Sequence, residues 1–584
     1  MTSQAKRNGA KQAGTIHRMG SAARAISLAT GIALALAAAP MAFAAAPRTA
    51  RPNAAAAKAA PATARAGAGA AAAMRPAAQM AMPATGPNAL SRLAPAPAAD
   101  STAAPVEVRV EAAHPGPVIP RTFAGFSIEV DAASGYYFGP AGNQNHVFFQ
   151  LLRNLGGGTV RVGGNSTDDS CWRPQAAPHP QGCHFTITEA DIRGFARASA
   201  ATGWGLYVGV NLAQNDAHWA AGYGAAVARA MDATHGAKLL GFEFGNEPDL
   251  FPYHRLYDHV FARPKDFSVA DYLKNWHAYA AAFHGQPVTA HVPFVGPAIC
   301  CQWLGHGAAG LRDFLAHVGH KDLNLVTVHD YPLTHCGGQH PTIAQLLNAG
   351  LAARYAARAR RWVLLAHHYG YPIRYGEGNS ISCEGQNGVS NAFAATAWGV
   401  GWLFTNFRVG MTGANLHEGS TVISVGYHGR AYYYDAVEVT RKQMGGRIEY
   451  DNHIWPLYYA MYAFAKNAEG RRLLSADVAL RAPLRAYAVR RGDSGPVTAF
   501  VVNHDLSAAV PVRLTAPGGA RARLLLVEAP DYASRDVTYG GVKFSPRTGK
   551  LAGRPQWRTL RRTGGEFRFL LPKAAVAIVK IGAR

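Results

Sequence analysis

From residue 123 onward, short apolar runs alternate with amphipathic stretches. Runs at 123–130, 158–163, 205–212, 239–245, 292–298, 323–329, 372–376 and 412–417 are rich in β-branched and aromatic residues, and they predict eight strands. The segments 147–155, 189–201, 218–231, 269–283, 310–318, 343–367, 392–407 and 455–465 carry apolar residues at helical spacing. The strands are too uniformly apolar to leave one face wet. Eight alternating units of this kind predict an α/β chain whose parallel strands close into a (β/α)8 TIM barrel with the helices outside. A doubly wound open sheet is the rival, and it needs a phosphate-binding glycine turn after an early strand. Arg161-Val-Gly-Gly-Asn165 has the glycines but not the G-x-G-x-x-G spacing.

After about residue 470 the helical period disappears. Short runs at 486–489, 496–504, 511–514, 521–528, 566–571 and 574–580, separated by Gly, Pro and Asp, predict a C-terminal β-sandwich domain. The isolated run 106–110 (VEVRV) has strand composition and is expected to join that sandwich from the other end of the chain. The expected division is therefore 106–118 as a strand joining the β-domain, 119–468 as the barrel and 469–584 as the sandwich. Upstream, residues 26–44 are apolar, follow a basic stretch and close on Ala42-Phe43-Ala44, so 1–44 read as a signal peptide. A membrane anchor is the alternative; Pro40 and the weak hydrophobicity of alanine favour cleavage, with no stable membrane insertion afterwards. Residues 45–105 are almost entirely Ala, Pro, Arg and small polar residues, a composition that cannot offset chain entropy and reads as a disordered linker.

Composition sharpens this picture. The 584 residues are 49% hydrophobic and 16% charged, enough to bury a large core and exclude disorder throughout. A net charge of +23 points at first to a polyanion. Eleven basic residues against one acid, Asp100, precede residue 105, however, so much of the excess lies in the leader and linker and nucleic acid is not an expected partner. Six cysteines, Cys171, Cys183, Cys300, Cys301, Cys336 and Cys383, suit disulfides in an exported protein, periplasmic or secreted; six allow 15 connectivities. Cys171–Cys183 is the simplest pairing because it closes one short polar loop. No Cys-x-x-Cys pair exists, so a zinc site is disfavoured.

In a barrel of this type the site lies at the C-terminal strand ends, so the polar residues closing each run carry the information. These are Glu129 after strand one, Asn165 after strand two, Asn246-Glu247-Pro248-Asp249 after strand four, His329-Asp330-Tyr331 after strand six, Glu377 after strand seven and His417-Glu418 after strand eight. Two carboxylates facing each other across the mouth, about 5–5.5 Å apart, are what retaining glycoside hydrolysis requires. Glu247 is assigned as acid/base, because Asn246 beside it can reach a sugar 2-hydroxyl, and Glu377 as nucleophile. Glu129 and Glu418 would either bind sugar hydroxyls or pair with an arginine. Tyr331 would bridge to the nucleophile or bind sugar, His417 reads as a hydrogen-bonded mouth residue, and Asp168 and Asp169 read as turn formers.

Gly125-Phe-Ser-Ile-Glu129, Arg161-Val-Gly-Gly-Asn-Ser-Thr-Asp168, Phe242-Glu-Phe-Gly-Asn-Glu-Pro-Asp249, His329-Asp-Tyr-Pro332 and Arg374-Tyr-Gly-Glu-Gly-Asn379 together resemble glycoside hydrolase family 79, the heparanase and β-glucuronidase family of clan A. The resemblance runs from residue 106 to 584. It implies a retaining hydrolase of β-linked glucuronic acid in uronic-acid-containing oligo- or polysaccharides, with no cofactor and no metal; a monomer is expected. It further implies sugar contacts from Glu129, Asn165, Asn246 and Tyr331, and carboxylate recognition by tyrosine hydroxyls and backbone N–H groups after strand eight, here Gly429, Tyr433 and then Tyr432. Ser382, followed by Cys383, stands where relatives often carry a tyrosine, a departure that bears on glucuronate specificity. Cys300, Cys301, Cys336 and Cys383 fall in loops after strands five, six and seven, where disulfides would brace the cleft. Another clan A glycosidase acting on neutral sugars and a non-catalytic glycan-binding barrel are the alternatives.

Overall fold

The computed structural model describes residues 104–173, 182–253, 261–305, 307–419, 432–479 and 481–582. The expected signal peptide, nearly all of the expected linker, and Gly429 lie outside these residues. Ala124–Glu129, Thr159–Gly163, Gly205–Val210, Leu239–Phe244, Phe294–Ile299, Leu325–His329, Ile373–Gly378 and Ala414–Glu418 form a closed parallel barrel in chain order, the eighth strand pairing with the first. The first, second, fifth, seventh and eighth strands are buried at every position, which is why they read as unbroken apolar runs rather than alternating ones.

The helices begin where side chains can satisfy their first N–H groups. Thr188 and Ser268 open Glu189–Thr202 and Val269–His284 with reciprocal bonds to Asp191 and Asp271, while Asn145 and Asp216 cap His146–Leu155 and Ala217–Asp232. One expectation needs correction. The single helix expected over 343–367 is two, Ile343–Leu346 and Ala349–His368. Asn348 stops the first and starts the second, its side-chain oxygen accepting from the Leu351 N–H, a local bond that competes with helix continuity.

Among the described residues, ten strands build the C-terminal β-domain around a second core that includes Val108, Val110, Leu484, Val501, Leu514 and Val579. Strand Arg472–Val478 turns the corner of the sandwich: residues 472–474 pair with Leu484–Arg490, and residues 475–478 pair with Val106–Glu111. Val106–Glu111 also pairs in parallel with Val510–Thr515, so the strand from before the barrel lies between two strands from after it. The sheet holding Val497–Asn503 is buried on both faces. Val497, Ala499 and Val501 face the sandwich core, whereas Phe500 and Val502 belong to the barrel core. The barrel helix Phe393–Val409 fills the seam, Phe404 stacking on Tyr487 at 4.6 Å, and is therefore apolar around most of its circumference. Strands Arg472–Val478 and Arg558–Arg561 and the hairpin Val437–Met444 with Arg447–Ile454 were not expected from the sequence. Their charged residues hide the period of two.

Val108 is fully buried in the sandwich core, while the Arg109 side chain beside it is exposed. Val108→Asp is expected to lower the thermal midpoint by several degrees, because it buries an unpaired charge. Arg109→Asp should leave stability within about 0.5 kcal/mol. Equal effects in a thermal melt would show that this strand is not part of the core.

Candidate active site

Two glycines in the second strand and its loop make the floor possible. A Cβ on Gly163 would lie 2.7 Å from the Arg161 guanidinium carbon, and one on Gly164, where φ is +80°, would lie 2.4 Å from the Glu129 carboxyl carbon. Only backbone without a side chain fits there. Arg161 thus lies fully buried at the centre of the barrel mouth. Its Nε donates to Glu243, its Nη1 to Ser127 Oγ at 3.0 Å and to Glu377 Oε2 at 2.9 Å, and its Nη2 to Asn246 Oδ1 at 2.7 Å. The Glu243 and Glu377 charges outweigh burial and push the guanidinium further up from its ordinary value.

Glu377 closes strand seven within this field. Tyr331 OH donates to its Oε1 at 2.9 Å, and His417 Nδ1 and His329 Nδ1 lie 3.5 and 3.9 Å from Oε2. Burial alone would raise this carboxyl, but the charges of His417, His329 and Arg161 and the Tyr331 hydrogen bond hold it well below the usual carboxylate range. His417 responds in the opposite sense: burial lowers its pKa, yet Glu377 and Glu129 raise it above the ordinary histidine value. The two shifts act in the same sense, favouring the charge on Glu377 and the proton on His417.

Glu247 stands opposite. Its oxygen lies 3.0 Å from His329 Nδ1, and oxygens of Glu247 and Glu377 and a His329 ring nitrogen all lie within 4.8 Å of one another. Glu247 sits before Pro248 yet has φ +49° and ψ +55°, a left-handed conformation that an ordinary residue avoids. It is held there by its N–H to Ala298 O, 2.9 Å, and by Leu250 N–H to its carbonyl, 2.8 Å. Glu247 is partly exposed, and both glutamates line a cavity of about 460 Å³ with Glu129, Asn165, Tyr331 and His417. The donor set does not favour a cation there, because both Glu377 oxygens already accept hydrogen bonds and the Arg161 charge lies against one of them.

The remaining sequence expectations divide. Tyr331 and Asn165 line the cavity, the first bridging to Glu377 as expected. Glu129 reaches the lining but its carboxylate is engaged, accepting from Asn165 N–H at 3.1 Å, Ser166 N–H at 2.7 Å and Ser166 Oγ at 2.5 Å, with His417 Nε2 at 3.3 Å. Its partner is thus a histidine and a loop backbone rather than an arginine. Asn246 is buried behind the lining, accepting from Arg161 and donating to Asn165 Oδ1 at 3.0 Å. Glu418 accepts from the Ala436 and Val437 N–H groups; it does not line the cavity, and among the described residues no arginine pairs with it. Asp168 does more than form a turn: it is buried and accepts from the N–H groups of Leu212, Ala213 and Asn246, tying three strand ends together. Of the tyrosines, Tyr432 and Tyr434 line the cavity; Tyr433, the first choice from sequence, does not, its N–H donating to Glu384 O at 2.6 Å. Tyr434, Ser127 and Glu243 were missed. A lone acid in the apolar run LLGFEFG and a lone base in TVRVG were the available signal for the Arg161–Glu243 pair.

Disulfides Cys171–Cys183 and Cys336–Cys383 are present. The second joins the loops after strands six and seven, next to the short parallel pair Leu333–Thr334 and Ile381–Ser382. Cys300 and Cys301 are free. Among the described residues, no helix is long and apolar enough to cross a membrane.

No family model matches the chain. Over 356 residues it is 25% identical to a β-glucuronidase of Aspergillus niger, an alignment covering 55% of this chain and 61% of that protein. Over 359 residues it is 24% identical to a β-glucuronidase of Neurospora crassa, covering 54% and 60%. The match therefore spans about three-fifths of the length of these relatives. A solved 4-O-α-L-rhamnosyl-β-D-glucuronidase from Fusarium oxysporum, in complex with Rha-GlcA, superposes with a TM-score of 0.65 at 17% identity, over 82% of this chain and 100% of that one. The family 51 arabinofuranosidase of Xanthomonas axonopodis pv. citri does so at 0.58 and 12%, over 82% and 99%. The chain is thus related in sequence to β-glucuronidases and shares its barrel fold with glycoside hydrolases.

Arg161→Met is expected to destabilise the protein by about 3–5 kcal/mol, because it strands Glu243 and Glu377 without their counter-charge. Adding Glu243→Gln should recover part of the loss. A urea midpoint unchanged by Arg161→Met would mean that the guanidinium does not organise the floor.

Proposed function

We propose that this protein is a retaining glycoside hydrolase of the heparanase and β-glucuronidase type, acting on β-linked glucuronic acid. The observation that carries the reading is the approach of Glu247 and Glu377 oxygens to within 4.8 Å, one of them in a field that keeps it ionised. That spacing suits direct attack on an anomeric carbon and leaves no room for the water that an inverting mechanism places between its carboxyls. The likeness to fungal β-glucuronidases supports the substrate class.

In this reading Glu377 attacks the anomeric carbon while Glu247 protonates the departing oxygen, and Glu247 then takes the proton from water that releases the sugar. Arg161, Tyr331 and His417 hold Glu377 charged and aimed, so that no reorientation is needed as the bond forms. His329 sits between the two acids, 3.0 Å from Glu247, where it can orient the acid and respond to its change of charge. Asn165, backed by Asn246, is placed to meet the sugar 2-hydroxyl. Tyr432 and Tyr434 take the role first given to Tyr433 in carboxylate recognition. Cys383 and Glu384, both at positive φ, and the Cys336–Cys383 bridge give the rim after strand seven its shape. We further read the protein as exported, since disulfides persist in oxidising compartments.

Glu377→Gln should abolish turnover of both nitrophenyl and unactivated glucuronides. Glu247→Gln should slow glycosylation by about 10²–10⁴ for a poor leaving group and far less for nitrophenol, with azide accelerating release of the trapped sugar. Equal losses for both leaving groups would refute the acid assignment. A panel of neutral nitrophenyl glycosides separates the substrate classes, with preference for glucuronide expected.

The pH profile gives an independent check. A depressed carboxyl is protonated only as pH falls through its lowered value, so the wild-type nucleophile stays ionised across the working range. His417→Gln removes the foremost charge lowering Glu377. The acid limb of kcat/KM should then move to higher pH, by on the order of one unit. An unmoved limb would show that His417 carries no charge there.

A further inference from the structure

Two nucleophilic side chains on the cavity wall have no part in the hydrolytic scheme. Cys300 follows strand five and is buried; Cys301 opens the short helix Cys301–Leu304 and is exposed. Both line the cavity that holds Glu247 and Glu377. Their sulfurs lie 2.8 Å apart, about 0.8 Å beyond the ~2.04 Å bond of a disulfide. The other four cysteines are already paired, so these two have only each other within the chain.

The segment is fastened to the turn that carries Glu247. Asp249, two residues after Glu247, accepts from Cys300 N–H at 3.2 Å through Oδ1, and from Gln302 and Trp303 N–H at 2.8 and 3.3 Å through Oδ2. Glu247 N–H in turn donates to Ala298 O, on the strand that leads into Cys300. A change in the backbone at 300–301 therefore has two hydrogen-bonded routes to the left-handed turn at 247.

We propose that Cys300 and Cys301 form a redox-active dithiol on the cavity wall, oxidised by a low-molecular-weight or protein disulfide to a bond between adjacent residues, and that this bond resets the Glu247 turn. In the exchange the Cys301 thiolate attacks one sulfur of the donor disulfide, forming a mixed disulfide and releasing one thiolate. The Cys300 sulfur, losing its proton, then attacks the Cys301 sulfur and expels the second thiolate. The two cysteines lose two electrons and two protons, and one donor disulfide becomes two thiols. Burial of Cys300 disfavours its thiolate, consistent with exposed Cys301 attacking first.

Adjacent Cα atoms are about 3.8 Å apart, short of the roughly 4.4–6.8 Å that disulfides prefer, so such a bond is strained and readily reduced. The Cα separations of the other two bridges, 5.7 and 5.5 Å, fall within that span. A mild reductant should therefore open the adjacent pair first, leaving the other two intact. The dithiol itself is independent of the hydrolase reading; only its effect on turnover rests on it.

The test is thiol counting by alkylation in denaturant, on the full chain, after treatment with oxidised or reduced glutathione. Two alkylated thiols are expected in the reduced form and none in the oxidised form, with loss of two hydrogens from the intact mass, no retained glutathione, and the link mapped to a peptide containing 300–301. Two thiols persisting after oxidation, or a stable glutathione adduct, would overturn the dithiol. A severalfold difference in kcat/KM on nitrophenyl glucuronide between the two forms, absent in Cys301→Ser, is expected as well. Equal values in both forms would overturn the coupling to Glu247. If neither form hydrolyses any glycoside, the hydrolase reading fails while the thiol count still decides the dithiol.

Discussion

The centre of this protein is one guanidinium. Arg161, on strand two, spends its donors on two carboxylates, an amide and a hydroxyl, from strands one, four and seven and the loop after strand four. A cation at that depth is tolerable only because its counter-charges are built into the same wall. The consequence runs both ways: the acids neutralise the arginine, and the arginine joins His417 and His329 in keeping Glu377 ionised. Glu377 is therefore part of the barrel's electrostatic core as well as its cavity, whereas Glu247 is held by its backbone turn and His329 and remains partly open to solvent. The proposed chemistry rests on this difference between the two glutamates.

A second buried arginine shows what happens without such partners. Arg374, on strand seven near the other end of the barrel, donates to Asn415, Thr159 and the carbonyls of Thr122 and Phe123, with no carboxylate among these contacts. Burial lowers its pKa to about 10. The two arginines close the two ends of a polar interior, but only the one ringed by acids can distribute charge to a site.

Much of this architecture was legible in the chain. The eight barrel strands lie within two residues of where apolar runs placed them, because burial on both faces leaves a strong signal. The Glu247 and Glu377 positions followed from strand ends alone. What escaped depends on direction rather than sequence position. Asn246 and Glu129 carry the right groups but spend them on neighbours, and the alternation of side chains through the 432–434 turn puts Tyr434 at the cavity in place of Tyr433. The hairpin after strand eight, with Arg441, Lys442, Glu449 and Asp451, offers no apolar period by which to find it.

The strand Val106–Glu111 reaches its place between chain segments that follow it by roughly 370 and 400 residues, Val108 lying beside Val478 and Leu514. During synthesis that strand emerges before the barrel and waits, both edges unpaired, until the whole barrel has been made. Its edges are those of a segment open to mispairing with other chains. Completion of the sandwich is thus a late, long-range closure, in which a strand made before the barrel is locked between two strands made after it.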